Sequence, residues 1–278
     1  MTDPVTEVFS AIERLVARDS AGRNVAALVL PGELERAARS LLNASRVGIV
    51  SGFFVPAAGA GETDGPPGAL AIGNALRALG IAAEFVTDRQ NAPLLQTLGA
   101  APLHLWHPGL PQSFAPSHLV AVERLGRAAD GHYYNMRGED IGAHTAPVDE
   151  WFLQAPARGI VTIGIGDGGN EIGMGRVQDR VAEHVLLGAR IGCVVPTDHL
   201  IVCGVSNWGA YGLVAALARL SGKKLLPSAA TARAEILRLV AAGAVDGATR
   251  RSETTVDGIA LQPYLALLEE LRALEPGG

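Results

Sequence analysis

The stretch IVTIGIGDGGNEIGMG, residues 160–175, combines the pattern of a buried strand with that of a glycine-rich acidic turn. In its first half, β-branched residues alternate with glycine, which is typical of a buried strand on which another backbone packs closely. The second half carries Asp167, Asn170 and Glu171 between glycines. Ligands of α/β proteins bind at the carboxyl ends of strands. We therefore predict a strand that ends in a functional site.

The same stretch also satisfies the G-x-G-x-x-G fingerprint of dinucleotide-binding proteins. The matching glycines are Gly164, Gly166 and Gly169. In that fingerprint, backbone N–H groups and a helix N-terminus receive a pyrophosphate, and Asp167 would set a negative charge against it. Together with Asn170 and Glu171, Asp167 instead offers oxygens to a hard divalent cation or to a substrate ammonium group. The residues favour a cation or an amine over a dinucleotide, so no nucleotide cofactor is expected.

A second acidic loop, GAGETDGPPGA, covers residues 59–69. Glu62 and Asp64 are two residues apart and project to the same side if the chain is locally extended. One interpretation is that Asp64 only caps the helix that the following proline pair begins. The other is that both acidic turns meet at one site, where their carboxylates would hold one or two Mg²⁺ or Mn²⁺ ions.

The order of the predicted elements indicates an α/β fold with a mostly parallel sheet and helices on both faces, a Rossmann-like sandwich. Helices are predicted over 5–18, 31–42, 66–79, 91–98, 171–187, 207–220, 229–241 and 259–273, and strands over 46–52, 81–88, 102–106, 118–125, the first half of 160–175, and around Pro196 within 190–203. Strand, helix and strand in this order form right-handed crossover units. We predict one domain over 1–278, with an N-terminal helical segment (1–45), an α/β core that carries the acidic loops (46–226) and C-terminal helices (227–278).

Composition excludes several classes of protein. With 48% hydrophobic residues, 5% aromatic residues and 34 glycines, the 278-residue chain fits an α/β enzyme with a substantial core. The net charge is −5 and lysine occurs only at Lys223 and Lys224, so no nucleic-acid surface is expected. No apolar run is long enough to span a bilayer and no secretion signal is recognisable, which predicts a cytoplasmic protein without a membrane partner.

The two cysteines, Cys193 and Cys203, flank a Pro-Thr-Asp-His turn. A disulfide across a hairpin, or two ligands of a metal site with His199, are possible interpretations of this spacing. Two cysteines without a secretion signal favour buried, reduced thiols.

Several further polar residues near predicted strand ends are candidate substrate contacts, each with a structural alternative. Asp88 has two interpretations of equal weight: it belongs to the site, or it caps the helix over 91–98. Arg137 offers a bidentate clamp to a carboxylate, or forms a surface ion pair with Glu139. Asn207 caps a helix or helps to hold an anion at its N-terminus. The remaining candidates are Ser51, Gly52, Asn135, Gly168 and Gly169.

Five ordered motifs resemble the D-glutamate cyclase family, in particular its C-terminal domain. They are SGFFVP (51–56), ETDGPPGA (62–69), VTD (86–88), YYNMRG (133–138) and GDGGNEIGMG (166–175), and the similarity covers most of the chain. The resemblance implies an α/β sandwich and the dehydration of D-glutamate to 5-oxo-D-proline, a carbon–oxygen lyase activity. By position, it implies an acidic centre of Glu62, Asp64, Asp167, Asn170 and Glu171, with Asn135 and Arg137 as substrate contacts. The separate N-terminal domain of the eukaryotic members has no counterpart in this sequence.

The first functional hypothesis is a metal-assisted cyclase that acts on a small amino acid. Its predicted metal ligands are Glu62, Asp64, Asp167, Asn170 and Glu171, and the four carboxylates of this set are also the predicted catalytic residues. A metal would polarise the γ-carboxylate while a carboxylate accepts the ammonium proton and Arg137 grips the α-carboxylate. A metal-dependent phosphohydrolase and a non-catalytic amino-acid or metal-binding protein are the alternatives. Asp167→Asn and Glu171→Gln are each expected to weaken metal binding and leave the fold intact.

Assembly is the last expectation from sequence. Alanine-rich apolar faces recur on the predicted helices within 5–42 and within 229–273. Surplus apolar helix faces are often buried in symmetric subunit contacts, so a homo-oligomer is predicted.

Overall fold

Six parallel strands form the central sheet of the computed structural model, which describes residues 4–19 and 22–277. The other residues of the predicted domain (1–3, 20, 21 and 278) lie outside this description. The strands are β1 (Arg46–Ser51), β2 (Ala82–Thr87), β3 (Leu103–Leu105), β4 (His118–Val122), β5 (Val161–Gly166) and β6 (His199–Val202). Their order across the sheet is β3-β2-β1-β4-β5-β6, with parallel pairing throughout. This is the doubly wound order, in which the chain leaves β1 toward one edge and returns to build the other half from β4. The predicted α/β class is confirmed.

Helices and two short antiparallel ribbons complete the described chain. The helices are α1 (Pro4–Val16), α2 (Glu33–Leu41), α3 (Pro66–Ala78), α4 (Ala92–Leu98), α5 (Leu110–Ser113), α6 (Asp149–Gln154), α7 (Gln178–His184), α8 (Gly188–Ile191), α9 (Ser206–Ser221), α10 (Ala229–Ala241) and α11 (Leu261–Ala273). Single 3₁₀ turns cover Val25–Leu28, Gly142–His144, Pro156–Arg158 and Gly175–Val177. The ribbons pair Phe54–Val55 with Ala60–Gly61, and Thr255–Val256 with Ile259–Ala260.

Apolar side chains pack on both faces of the sheet, because successive residues of a strand point to opposite faces. On β4, Val120 and Val122 join a core built with α1, α2, α3, α9, α10 and α11. Leu119 and Ala121 join a second core on the other face, with side chains from α5 to α8. Helix α9 is buried almost throughout its length, as expected of a helix that is apolar on all sides. Helices therefore cover both faces, as predicted.

The predicted helix over 171–187 is wrong in its first half. The chain is irregular after Glu171, passes through the 3₁₀ turn Gly175–Val177, and becomes α-helical only at Gln178. Gly173 has a φ of 109°, outside the helical region, and a Cβ on Gly175 would lie 2.5 Å from the Val194 carbonyl oxygen. Close backbone packing, and not helix formation, explains these glycines.

Within residues 190–203, the strands predicted around Pro196 are wrong except for β6. Residues 193–195 hydrogen-bond to loops instead of the sheet: the Cys193 N–H donates to Gly169, the Val194 N–H to Arg127, and the Val195 carbonyl accepts from Gly173. Both cysteines are buried free thiols, as predicted. Burial raises the pKa of the Cys193 thiol well above its usual value.

The predicted strand over 118–125 ends earlier, at Val122. Glu123 has a φ of 46°, so the backbone turns away from the sheet at that residue. In the described ranges, no helix combines the length and the apolarity needed to cross a bilayer.

Candidate active site

The site lies at the point where the winding of the sheet reverses, between the carboxyl ends of β1 and β4. Open α/β sheets bind ligands at such switch points, since the loops that leave the two strands diverge and leave a crevice. The loop after β1 carries Glu62 and Asp64, Glu123 directly follows β4, and Asp167 directly follows β5. The fold therefore brings acidic residues from three loops to one edge of the sheet.

Three buried carboxylates form the base of this site. Oxygen atoms of Asp64, Glu123 and Asp167 all lie within 4.8 Å of one another. Each of these residues is at least 94% buried, with exposed fractions of 1%, 6% and 2% respectively. Asp64 and Asp167 were predicted from the sequence, whereas Glu123 was not. The two acidic turns therefore meet at one place, and the carboxylate of Glu123, which directly follows β4, lies beside them.

The N-terminus of α9 holds all three carboxylates. The Ser206 backbone N–H donates to Asp64 Oδ2 and Asp167 Oδ2, both at 2.9 Å, and the Asn207 N–H donates to Asp64 Oδ1 at 2.8 Å. The Ser206 hydroxyl donates to Glu123 Oε2 at 2.5 Å. Unpaired N–H groups and the helix dipole stabilise negative charge at such a helix start. Helix α9 therefore fixes the geometry of the acidic centre.

The Asn207 side chain fastens the loop after β1 to the same helix. Its Oδ1 accepts from the Gly65 N–H at 3.1 Å and the Gly68 N–H at 2.8 Å, and its Nδ2 donates to the Thr63 carbonyl at 3.2 Å. Asn207 was predicted as a substrate contact, and in the structure its amide group bonds to this loop.

Arg23 inserts a positive charge among the acidic groups. Its guanidinium donates to Asp167 Oδ1 and, at 3.0 Å, to Asp257 Oδ1. Asp257 lies in the turn between the two strands of the C-terminal ribbon and has a φ of 53°. Neither Arg23 nor Asp257 was predicted from the sequence, because both lie in loops far from the motifs.

Burial and mutual repulsion perturb the acidic groups strongly. Burial, with the charge of Asp257, raises the pKa of Asp64 to about 7. Burial also raises the pKa of Glu62 and Glu123 well above the usual range, and neighbouring carboxylates add to both effects. The pKa of Asp167 is raised as well by burial, although the Arg23 charge opposes the shift. A centre of this kind attracts a cation, either a metal ion or an ammonium group.

Glu171 closes the glycine turn after β5. Its Oε1 accepts from the Asp167 N–H at 2.9 Å and the Gly168 N–H at 2.6 Å, and its Oε2 accepts from the Gly169 N–H at 2.7 Å. Successive N–H groups that converge in this way form an anion-binding nest. The carboxylate of Glu171 thus occupies the amides that a pyrophosphate would need. The predicted roles of Glu171, Gly168 and Gly169 in metal or substrate binding stay predictions.

A cavity of about 300 Å³ opens above the acidic base. The acidic residues Glu62, Glu123, Asp167, Glu171 and Asp257 line it together with Arg23, and its wall carries Phe53, Phe54, Asn135, Met136, Arg137, Glu139, Asn170, Gly247 and Arg250. Asn170 donates through Nδ2 to the Tyr134 carbonyl at 2.8 Å. Carboxyl groups lie at the base of the cavity, and Arg137 and Arg250 lie on its wall.

The predicted clamp residues lie on this wall. Asn135 Oδ1 accepts from the Arg137 and Glu139 backbone N–H groups, and its Nδ2 donates to Glu139 Oε2 at 2.6 Å. The exposed Arg137 side chain donates to the Ala248 carbonyl at 2.9 Å and forms no ion pair with Glu139. Glu139 instead pairs with Arg250, at 3.3 Å. Arg250 was not predicted.

Asp88 lies behind the cavity and does not line it. Its Oδ1 accepts from the Asn91 backbone N–H at 3.0 Å, just before α4, and its Oδ2 accepts from Arg124 at 2.6 Å. Although burial alone would raise the pKa of Asp88, the Arg124 charge lowers it below the usual value. Arg124 also donates to the Gly52 carbonyl at 2.9 Å, and the Ser51 hydroxyl is buried nearby. Asp88 thus bonds to Asn91, the residue before α4, and its assignment as a substrate contact stays a prediction.

Sequence signals for the missed residues are few. Glu123 is followed by Arg124 directly after a buried apolar strand, and two charged residues at such a strand end are a usable signal. Arg23 and Arg250 stand in loops without periodicity, and Asp257 begins an Asp-Gly pair that signals a hairpin turn and not a site. The tertiary fold brings all three to the cavity.

Comparison with known proteins adds an independent line of evidence. A protein-family model described as "D-glutamate cyclase-like, C-terminal" matches residues 12–272. The protein "D-glutamate cyclase, mitochondrial" of Homo sapiens is 38% identical over 236 residues, which cover 74% of this chain and 38% of that protein. The chain thus spans well under half of that relative's length.

Among solved structures, the sugar isomerase domain of an RpiR transcription factor from Sphaerobacter thermophilus aligns with a TM-score of 0.32 and 16% identity. The alignment covers 87% of this chain and 96% of that chain. A similarity of this strength bears on neither fold nor function.

Proposed function

This chain belongs to the family of D-glutamate cyclase-like C-terminal domains, and we propose that it dehydrates D-glutamate to 5-oxo-D-proline as a carbon–oxygen lyase. The observation that carries the proposal is the distribution of charge in the cavity. Carboxylates at the base suit the substrate ammonium group, and Arg137 on the wall, which forms no ion pair with Glu139, suits a substrate carboxylate. The volume of about 300 Å³ suits a small amino acid.

The reaction joins the two ends of one molecule. A bond forms between the amine nitrogen and the γ-carbon, and one carbon–oxygen bond of the γ-carboxylate breaks. Two protons of the ammonium group leave with that oxygen as water. The protein must therefore accept a proton from the ammonium group, deliver protons to the departing oxygen and hold the flexible chain folded.

Two carboxyl groups in different surroundings suit the two proton transfers. Burial, together with the charges of Glu123 and Asp257, raises the pKa of Glu62, which favours its protonated form as a donor to the departing oxygen. Burial raises the pKa of Asp167 as well, but its ion pair with Arg23 opposes that shift and stabilises the ionised form that accepts a proton. Different environments for neighbouring carboxyl groups are a common way to separate acid and base roles.

The apolar wall and the arginines provide orientation. Phe53, Phe54 and Met136 would contact the methylene groups, while Arg137 grips the α-carboxylate and leaves the γ-carboxylate near the acidic base. Fixing the two reacting ends in contact removes much of the entropic barrier to ring closure.

The donor set at the base fits a hard divalent cation such as Mg²⁺ or Mn²⁺. Asp64, Glu123 and Asp167 are oxygen donors within 4.8 Å of one another. Burial raises their pKa values, neighbouring carboxylates add to the rise, and a bound cation would relieve that repulsion. When bound, the ion would act as a Lewis acid on the γ-carboxylate. Glu171 is better suited to orient the turn that carries Asp167, since three backbone N–H groups already donate to it.

Product formation tests the proposal directly. The protein is incubated with D- or L-glutamate, with Mg²⁺, Mn²⁺ or EDTA, and 5-oxoproline is measured by chiral chromatography and mass spectrometry. Asp167→Asn should abolish turnover, and Glu270→Gln, which removes an exposed carboxylate paired with Arg18, should not change it. No turnover of either enantiomer under any condition contradicts the proposal.

Two further assays separate the alternatives. Hydrolysis of a phosphate-ester panel with Mn²⁺ would favour the phosphohydrolase, and glutamate binding without product would favour the binding protein.

A further inference from the structure

Asp257 presents a buried oxygen that the rest of the described chain leaves without a partner. Only 8% of the residue is exposed, and it lines the cavity. Its Oδ1 accepts from Arg23 at 3.0 Å, whereas among residues 4–19 and 22–277 no group donates to its Oδ2. A buried carboxylate oxygen without a donor is costly, so this oxygen, which belongs to a residue that lines the cavity, points to a ligand that supplies the donor.

The backbone around Asp257 holds this side chain in place. Asp246 is fully buried, and its Oδ2 accepts from the Gly258 N–H at 2.7 Å. Its Oδ1 accepts from the Ala248 and Thr249 N–H groups at 2.9 and 2.8 Å. One carboxylate thus ties the turn after Asp257 to the segment that begins at Gly247. The positive φ of Asp257 is uncommon for a residue with a side chain and requires such support.

Gly247 keeps the space between Asp257 and Glu62 open. A Cβ built on Gly247 would lie 1.9 Å from Glu62 Oε2 and 3.7 Å from Asp257 Oδ1. The two carboxyl groups therefore flank the same short piece of bare backbone. A ligand amine at Asp257 would lie beside the group that we assign to protonate the departing oxygen.

We infer that Asp257 Oδ2 accepts a hydrogen bond from the α-ammonium group of the substrate, and that this contact selects amino acids over dicarboxylates without an amine. The inference rests on the proposed function and names the residue that recognises the amine. Arg23 bridges Asp257 and Asp167, so it orients the ammonium site relative to the proton acceptor. A purely structural ion pair between Arg23 and Asp257 would leave Oδ2 with no role.

Two variants with opposite consequences separate recognition from structure. Asp257→Asn removes the charge at Oδ2, and asparagine tolerates positive φ better than most residues, so the turn should be kept. Arg23→Gln removes the cation that competes for the same carboxylate and leaves the carboxylate in place. A structural ion pair predicts the same defect in both variants, whereas amine recognition predicts different defects.

The experiment is calorimetric titration of D-glutamate and of glutarate, which lacks the amine, into the parent and both variants. Titrations are run in EDTA and repeated with Mn²⁺, with 5-oxoproline assayed afterwards to detect turnover. The parent should prefer D-glutamate, and Asp257→Asn should weaken D-glutamate binding by about 10- to 100-fold with little change for glutarate. Arg23→Gln should keep or increase the preference for D-glutamate.

The possible failures are distinguishable. If the parent prefers D-glutamate and Asp257→Asn keeps that preference, the inference is overturned and the proposed function stands. An equal loss for both ligands in both variants assigns Asp257 to structure and also overturns the inference. If the parent binds neither ligand with or without Mn²⁺, the proposed function and the inference fail together.

Discussion

Glu171→Gln should destabilise the protein, because the Glu171 carboxylate anchors the turn that carries Asp167. Its two oxygens accept three buried backbone N–H groups at 2.6 to 2.9 Å. Glutamine keeps one acceptor oxygen and turns an N–H₂ group toward the N–H groups at the other position. The sequence pattern predicts that Glu171→Gln leaves the fold intact, because it removes repulsion between neighbouring carboxylates. The three hydrogen bonds predict instead that this substitution destabilises the fold.

The magnitude follows from these three bonds. At least one buried N–H group loses its acceptor, which costs roughly 1–3 kcal/mol, and the other two bonds lose the assistance of a full charge, about 1 kcal/mol each. We therefore expect the free energy of unfolding to fall by roughly 3–5 kcal/mol. Glu123→Gln is the matched control, because Glu123 is an equally buried strand-end carboxyl group whose raised pKa disfavours its charge. Its stability should stay within about 1 kcal/mol of the parent.

Equilibrium denaturation by urea, in EDTA and at one mildly alkaline pH, measures both variants against the parent by circular dichroism. The expected order of midpoints is parent and Glu123→Gln together, then Glu171→Gln clearly lower. A Glu171→Gln midpoint equal to that of the parent would refute the assignment of this carboxylate to the turn.

Three further predictions concern other parts of the molecule. Burial raises the pKa of Glu235 to about 7, so the folded state holds this proton more tightly than the unfolded state does. The free energy of unfolding therefore falls as the pH rises from about 4.5 to about 7. Glu235→Gln should remove roughly 3 kcal/mol of that fall, as measured by denaturation at several pH values. Gly247→Ala should lower kcat/KM by about 100-fold or more, because the added Cβ would displace Glu62, while Gly277→Ala, in open space, should leave steady-state rates unchanged. Mn²⁺ should raise the melting temperature of the parent, and Asp64→Asn should abolish the rise; equal rises in both proteins would contradict the assignment of Asp64 as a ligand.

The sheet was predictable because its strands are short, apolar and separated by turn residues. β1, β2 and β5 follow the sequence pattern closely, since buried parallel strands require continuous apolar runs. The region after β5 was not predictable by the same means. Gly173 and Gly175 are compatible with a weak helix in sequence. The positive φ of Gly173 and the approach of residues 194 and 195 to Gly175 explain them in the structure. A glycine that accommodates another backbone carries no local signal of its partner.

The acidic centre was predictable in part. Asp64 and Asp167 stand in glycine-flanked turns after strands, and this local pattern identified them. Glu123 extends an apolar strand in sequence and was counted as part of it, although the chain turns there. Arg23 and Asp257 are 234 positions apart in the sequence and meet only through the tertiary fold, so no local pattern could pair them.

Homo-oligomerisation stays a prediction that light scattering would test.

The most direct measurement uses D-glutamate that carries heavy oxygen in both positions of the γ-carboxylate. The protein, supplied with Mn²⁺, should release one labelled oxygen as water and yield 5-oxo-D-proline that retains the other label in its ring carbonyl. L-glutamate with the same label should react more slowly, and Asp167→Asn should yield no product. Unchanged D-glutamate, or a product that keeps both labels, would contradict the account.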